Sequence, residues 1–85
     1  MVHVAIRVLD AVEPLARGRG STWEEAAFNG YDQIIRAKGE PRRYLAYVEG
    51  EPSPHRKIVR FGFRAPGSSS IQSDPIVAVD VESPD

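Results

Sequence analysis

Apolar and polar positions alternate over the first eight residues, where Val2, Val4, Ile6 and Val8 interleave with His3, Ala5 and Arg7. A period of two sends alternate side chains to opposite faces of an extended chain, so the pattern predicts a half-buried strand. The stretch Pro14–Gly20 carries a Pro and two Gly among arginines and reads as a surface loop, the most mobile segment of the chain. Thr22-Trp23-Glu24-Glu25 is a capping box: the Thr22 hydroxyl accepts from the Glu25 amide while the Glu25 carboxylate reaches back to the Thr22 amide. Trp23, Ala27, Tyr31, Ile34 and Ile35 then share one helical stripe, and Gly39 before Glu40-Pro41 supplies a stop, which predicts a helix over 23–38. Gly30 inside that helix costs about 0.5–1 kcal/mol relative to Ala and calls for a close neighbour, a backbone or a ring.

Beyond the helix, Tyr44–Val48 and Ile58–Phe63 are rich in strand formers and flank the turn cluster Gly50-Glu51-Pro52-Ser53-Pro54, which predicts a hairpin. Val59, Phe61 and Phe63 fall on one face of its second strand. Residues 66–75 begin with Pro66-Gly67-Ser68-Ser69-Ser70 and read as a linker, and Val77, Val79 and Val81 give a further strand over 76–82. The sequence therefore predicts a single α+β domain over 1–85, one helix packed on a mainly antiparallel sheet in the order β-α-β-β-β.

At 85 residues the chain is one small domain, and without Cys it has no disulfide to supplement a small core, so homo-oligomerisation is the expected remedy. The absence of Cys excludes thiolate zinc sites, iron–sulfur clusters and thiol nucleophiles, and His3 and His55 lie far apart, so no metal is expected. Eleven Lys and Arg against twelve Asp and Glu leave a net charge of −1, which gives no general reason to expect nucleic acid or an acidic membrane as partner. No apolar run reaches the roughly 18–20 residues that span a bilayer, and the N-terminal alternation is not a signal segment, so a cytoplasmic location is expected.

Arg56, Arg60 and Arg64 recur every four residues on a strand and project from the face opposite Val59 and Phe61. They form either an anion contact, extended by Arg42 and Arg43, or a solvated face paired with Asp80 or Glu82 on the last strand. Trp23 is a core residue by default, with a stacking platform as the alternative. Tyr44 and Tyr47 alternate onto opposite faces of their strand. His55 in the hairpin turn has no evident partner, the dipole of the helix accounts for Glu24 and Glu25, and no nucleophile–base arrangement or phosphate loop is present. Nothing in the sequence argues for an enzyme.

Ser21-Thr22-Trp23-Glu24-Glu25-Ala26-Ala27-Phe28-Asn29 and Phe61-Gly62-Phe63-Arg64 resemble the helix start and last-strand end of the dodecins, very small flavin-binding proteins of β-α-β-β topology. The resemblance covers about residues 2–65. It implies a dodecameric shell in which an aromatic from the second strand stacks on a flavin (FMN, FAD or riboflavin) and a residue of the third strand hydrogen-bonds to the ring. The matching positions are Tyr44 and Arg56, where the family carries Trp and Gln, and Pro66–Asp85 extends past the family's usual end. A second resemblance, in Pro41, Tyr44 and Pro54-His55 after a helix, is to the helix–hairpin half of double-stranded-RNA-binding modules, whose second helix with its Lys cluster is missing here. Three readings follow. The first is a non-enzymatic oligomeric protein that binds or stores a flat aromatic ligand. The second is an interaction module whose Arg56, Arg60 and Arg64 face docks an anionic protein or nucleic acid. The third is a structural assembly subunit.

Overall fold

A computed structural model describes residues 1–39, 44–64, 67 and 71–83. Strand β1 (Val2–Val8) occupies the alternating segment and buries Val4 and Ile6 on one face. Ala5, on the other face, is also fully buried, and β1 has a paired strand on each side. The chain turns through Asp10, whose φ of 69° lies in the left-handed region that Asp tolerates, and returns as β2 (Ala16–Gly20).

Strand β2 replaces the loop expected over Pro14–Gly20. It runs antiparallel to β1 with Gly18 opposite Val4 and Gly20 opposite Val2. Helix α1 (Trp23–Lys38) lies directly on this backbone, and a Cβ on Gly18 would fall 2.0 Å from the Ala26 carbonyl oxygen and 2.5 Å from the Gly30 nitrogen. The inward positions of β2 are therefore glycine for lack of space, and a strand without apolar side chains has the composition of a loop. The neighbour that Gly30 calls for is a backbone: its own added Cβ would meet the Gly18 nitrogen at 3.0 Å.

The helix begins and ends where the sequence places it. The Thr22 hydroxyl accepts from the Glu25 amide at 3.1 Å, but the Glu25 carboxylate reaches the Ser21 amide, at 3.3 Å, one residue earlier than the predicted box. Gly39, with φ 70°, closes the other end. Thr22→Ala is expected to lower stability by about 1 kcal/mol in urea unfolding, the usual cost of removing an N-cap oxygen.

The hairpin β3 (Tyr44–Ser53) and β4 (Arg56–Arg64) is longer than predicted, with the reversal at Pro54-His55. Pro52 is tolerated within β3 because that strand is an edge, where a missing N–H breaks no ladder. A short strand β5 (Ile71–Ser73) falls inside the expected linker and pairs with Gly62–Arg64. Strand β6 (Val77–Ser83) covers the predicted last strand and inserts between β1 and β4, giving the path β2-β1-β6-β4-β3 with β5 on β4. One helix on a mainly antiparallel sheet is the architecture expected; the element order is β-β-α-β-β-β-β, with β2 and β5 added.

The core lies between α1 and the sheet, where Val4, Ile6, Ile35, Val59, Phe61 and Val79 are buried. The Tyr31 and Phe61 rings stack at 4.1 Å, 5° from parallel. Trp23 packs against this core at its edge, with the Lys57 Nζ 5.8 Å from its ring centroid. Among the described residues no helix is long and apolar enough to cross a membrane.

Candidate functional site

The sheet face away from α1 carries the arginines. Arg56 donates from Nε and Nη2 to the two Asp80 oxygens at 2.6 and 3.0 Å, and Arg7 donates to Asp80 at 2.7 Å. Asp80 sits between them because β6 pairs it with Ala5 on one side and Arg56 on the other. Ala5 and Ala78 on this face are buried although no helix lies over them. The doubly bonded Arg56 guanidinium, with help from Arg7, holds the Asp80 carboxyl below the usual carboxylate range against the opposing effect of partial burial. Hydrogen bonding and attraction to Asp80 in turn raise Arg56 above its ordinary value.

Arg60 pairs with Glu49 on β3 at 2.7 Å, and Arg17 pairs with Glu82 at 3.1 Å. The cross-strand pairing with Asp80 that the sequence offers for the arginine stripe is thus realised at Arg56. The side chains of Arg64, Tyr44 and Tyr47, the whole of Arg42 and Arg43, and residues 66–70 apart from Gly67 lie outside the described residues. In register, Tyr44 stands opposite Gly62 and Tyr47 opposite Arg60, with an irregularity after Leu45, so plain alternation does not run from one tyrosine to the other.

The structure does not bring the dodecin-like positions together within one chain. Tyr44 is opposite Gly62, while Arg56 lies six residues back along β4, about 20 Å away at the rise of a strand. His55 is exposed at the turn, where its carbonyl accepts from the Val81 amide. Among the described residues no three His, Asp or Glu side chains gather as a metal would need.

Among the described residues, two concavities bear on function. One, of about 380 Å³, lies at the β2 edge between His3, Arg17, Arg19, Asn29 and Gln33. The other is a cleft of about 300 Å³ whose walls come from three parts of the chain: Val8 and Leu15 at the β1–β2 turn, Tyr31, Ile34 and Lys38 on α1, and Pro75-Ile76-Val77 before and at the start of β6. Its mouth is apolar, with Val8 48% and Leu15 52% exposed, and Leu9 and Val12 on the same turn are exposed as well. At its side the Tyr31 hydroxyl donates to Asp74. Lys38, in the last helical turn, is the one charged residue of the lining among the described residues, with the Asp74 carboxylate held by Tyr31 at the side of the cleft.

Sequence reasoning missed this cleft because no local pattern holds it. The available signal was the Leu9–Leu15 segment, which carries Leu9, Val12 and Leu15 in a stretch with neither strand nor helix period. Comparison with protein-family models, curated proteins and solved structures gave no match.

Proposed function

We propose that this chain is a non-catalytic binding protein for a small, flat, mostly apolar molecule with an anionic group, held in the cleft between the C-terminal half of α1 and the start of β6. The observation that carries the reading is the composition of that cleft: apolar walls exposed at the mouth, the Tyr31 ring and hydroxyl at one side, and a single cation, Lys38. Covering such exposed apolar side chains is favourable, and a pocket of this size accommodates one fused ring system. Flavin mononucleotide is the first compound to test, since its fused rings suit the apolar walls and its phosphate suits Lys38; the dodecin resemblance would place a flavin elsewhere, at Tyr44 and Arg56.

Titration of flavin mononucleotide against the purified chain, followed by quenching of flavin fluorescence, tests the reading. Saturable binding is expected, lost on Leu15→Arg, which places a charge at the mouth on an already half-exposed position. Lys38→Ala is expected to weaken flavin mononucleotide and leave uncharged riboflavin unchanged. Affinity indifferent to Leu15→Arg would remove the cleft from consideration. Loss on Tyr44→Ala in its place would move the site to a contact between chains of a homo-oligomer, where the resemblance puts it.

A further inference from the structure

The charges on the open sheet face are unevenly met. Arg7 and Arg56 share Asp80, Arg60 has Glu49 and Arg17 has Glu82. Arg19, two residues along β2 from Arg17 and on the same face, has no carboxylate within pairing distance among the described residues. His3 stands directly across from Arg19 on β1. These groups line the concavity of about 380 Å³ at the β2 edge, at the opposite end of β1 from the apolar cleft.

The edge itself is prepared in a specific way. The Asn29 amide donates to the Arg19 carbonyl at 2.9 Å and the Gln33 amide to the Arg17 carbonyl at 3.3 Å. Both carbonyls are thereby engaged by α1 and not by a strand ladder. An incoming strand would find two of the acceptors it needs already occupied, so this edge is poorly suited to strand addition. For an anion the same bonds are favourable, because a carbonyl oxygen that would repel it is already bonded to a donor. The guanidiniums of Arg17 and Arg19 arise from Cα atoms about 7 Å apart on one face, a spacing that lets two planar forks close on one tetrahedral group.

We propose that the β2 edge is an oxyanion site that takes a phosphate dianion, free or as the terminal phosphate of a nucleoside monophosphate, between Arg19 and Arg17 with His3 beside it. Glu82 is the internal competitor, since it occupies the Arg17 fork at 3.1 Å with both partners partly exposed. The site is independent of the apolar cleft and shares none of its lining.

The test is titration of the full chain with inorganic phosphate and, separately, with adenosine monophosphate, read by the arginine Nε–Hε resonances and the Gly18 and Gly20 amides. Saturable shifts confined to Arg17, Arg19 and these glycines are expected. Arg19→Ala should weaken binding at least tenfold, the usual consequence of losing a charge-assisted pair, while Glu82→Gln should tighten it about threefold by freeing Arg17. Tighter binding of the nucleotide assigns the ester, and equal or weaker binding assigns the free anion. Shifts that fail to saturate and are equal at Arg36 and Arg60, or affinity untouched by Arg19→Ala, overturn the proposal.

Discussion

Gly18→Ala is expected to remove about 3 kcal/mol or more of stability, a large share of the roughly 5–15 kcal/mol that holds a typical domain folded. The added methyl would sit 2.0 Å from the Ala26 oxygen and 2.5 Å from the Gly30 nitrogen, and all three of its nearest atoms belong to helix backbone that no side-chain rotation clears. Relief requires lifting α1 from β2, which opens the Val4, Ile6 and Ile35 core beneath. Two controls separate this from a general intolerance of substitution. Gly50→Ala meets nothing within 4 Å and should change stability by less than about 0.5 kcal/mol. At Gly30 the contacts of 3.0–3.2 Å are tight but relaxable, and the better helix propensity of Ala offsets part of their cost. Urea unfolding followed by far-ultraviolet circular dichroism measures all three. A Gly18→Ala protein within 1 kcal/mol of the parent would show that the helix does not rest on β2 as described.

The second large effect belongs to Asp80. Asp80→Ala is expected to cost about 2 kcal/mol, since it strands two guanidiniums on a partly covered face, and a partly exposed network falls between the surface and buried limits for ion pairs. Arg7→Ala and Arg56→Ala should each cost less than Asp80→Ala, because in either case the carboxylate keeps one partner. The pH dependence has a definite sign. The folded pKa of Asp80 lies below its unfolded value of about 4, so the group's stabilisation is complete above that value and is lost as pH falls through the folded pKa. The difference in stability between the parent and Asp80→Asn should therefore be widest near neutrality and shrink as pH is lowered below about 4. A difference that stays constant from pH 7 to pH 2 would contradict the assigned ion triad.

The parts of the fold legible from sequence are those whose signal is local. Thr22 and Gly39 bracket the helix because a cap and a left-handed stop act through neighbouring backbone atoms, and β1 and β6 show as alternation because each buries one face against α1. Strand β2 was hidden because the helix takes the space where its apolar side chains would stand, so its inward residues had to be Gly18 and Gly20. The cluster Gly50-Glu51-Pro52-Ser53-Pro54 reads as a turn, yet most of it lies in β3, whose edge position accommodates Pro52. The same contrast holds for sites. The arginine stripe on β4 was visible as a period of four, but its pairing with Asp80 and Glu49 depends on which strands become neighbours. The two concavities draw on residues up to 69 positions apart, from Val8 to Val77, and neither has a sequence period.

Strand β6 lies between β1 and β4, and no pairing joins those two strands directly. During vectorial synthesis the β1–β2–α1 layer and the β3–β4 hairpin emerge first, yet neither can complete its ladder until residues 77–83 have left the ribosome. The β1–β2–α1 layer and the β3–β4 hairpin are thus joined in the sheet only through residues 77–83, and the sheet closes over long sequence separations, a topology that slows folding.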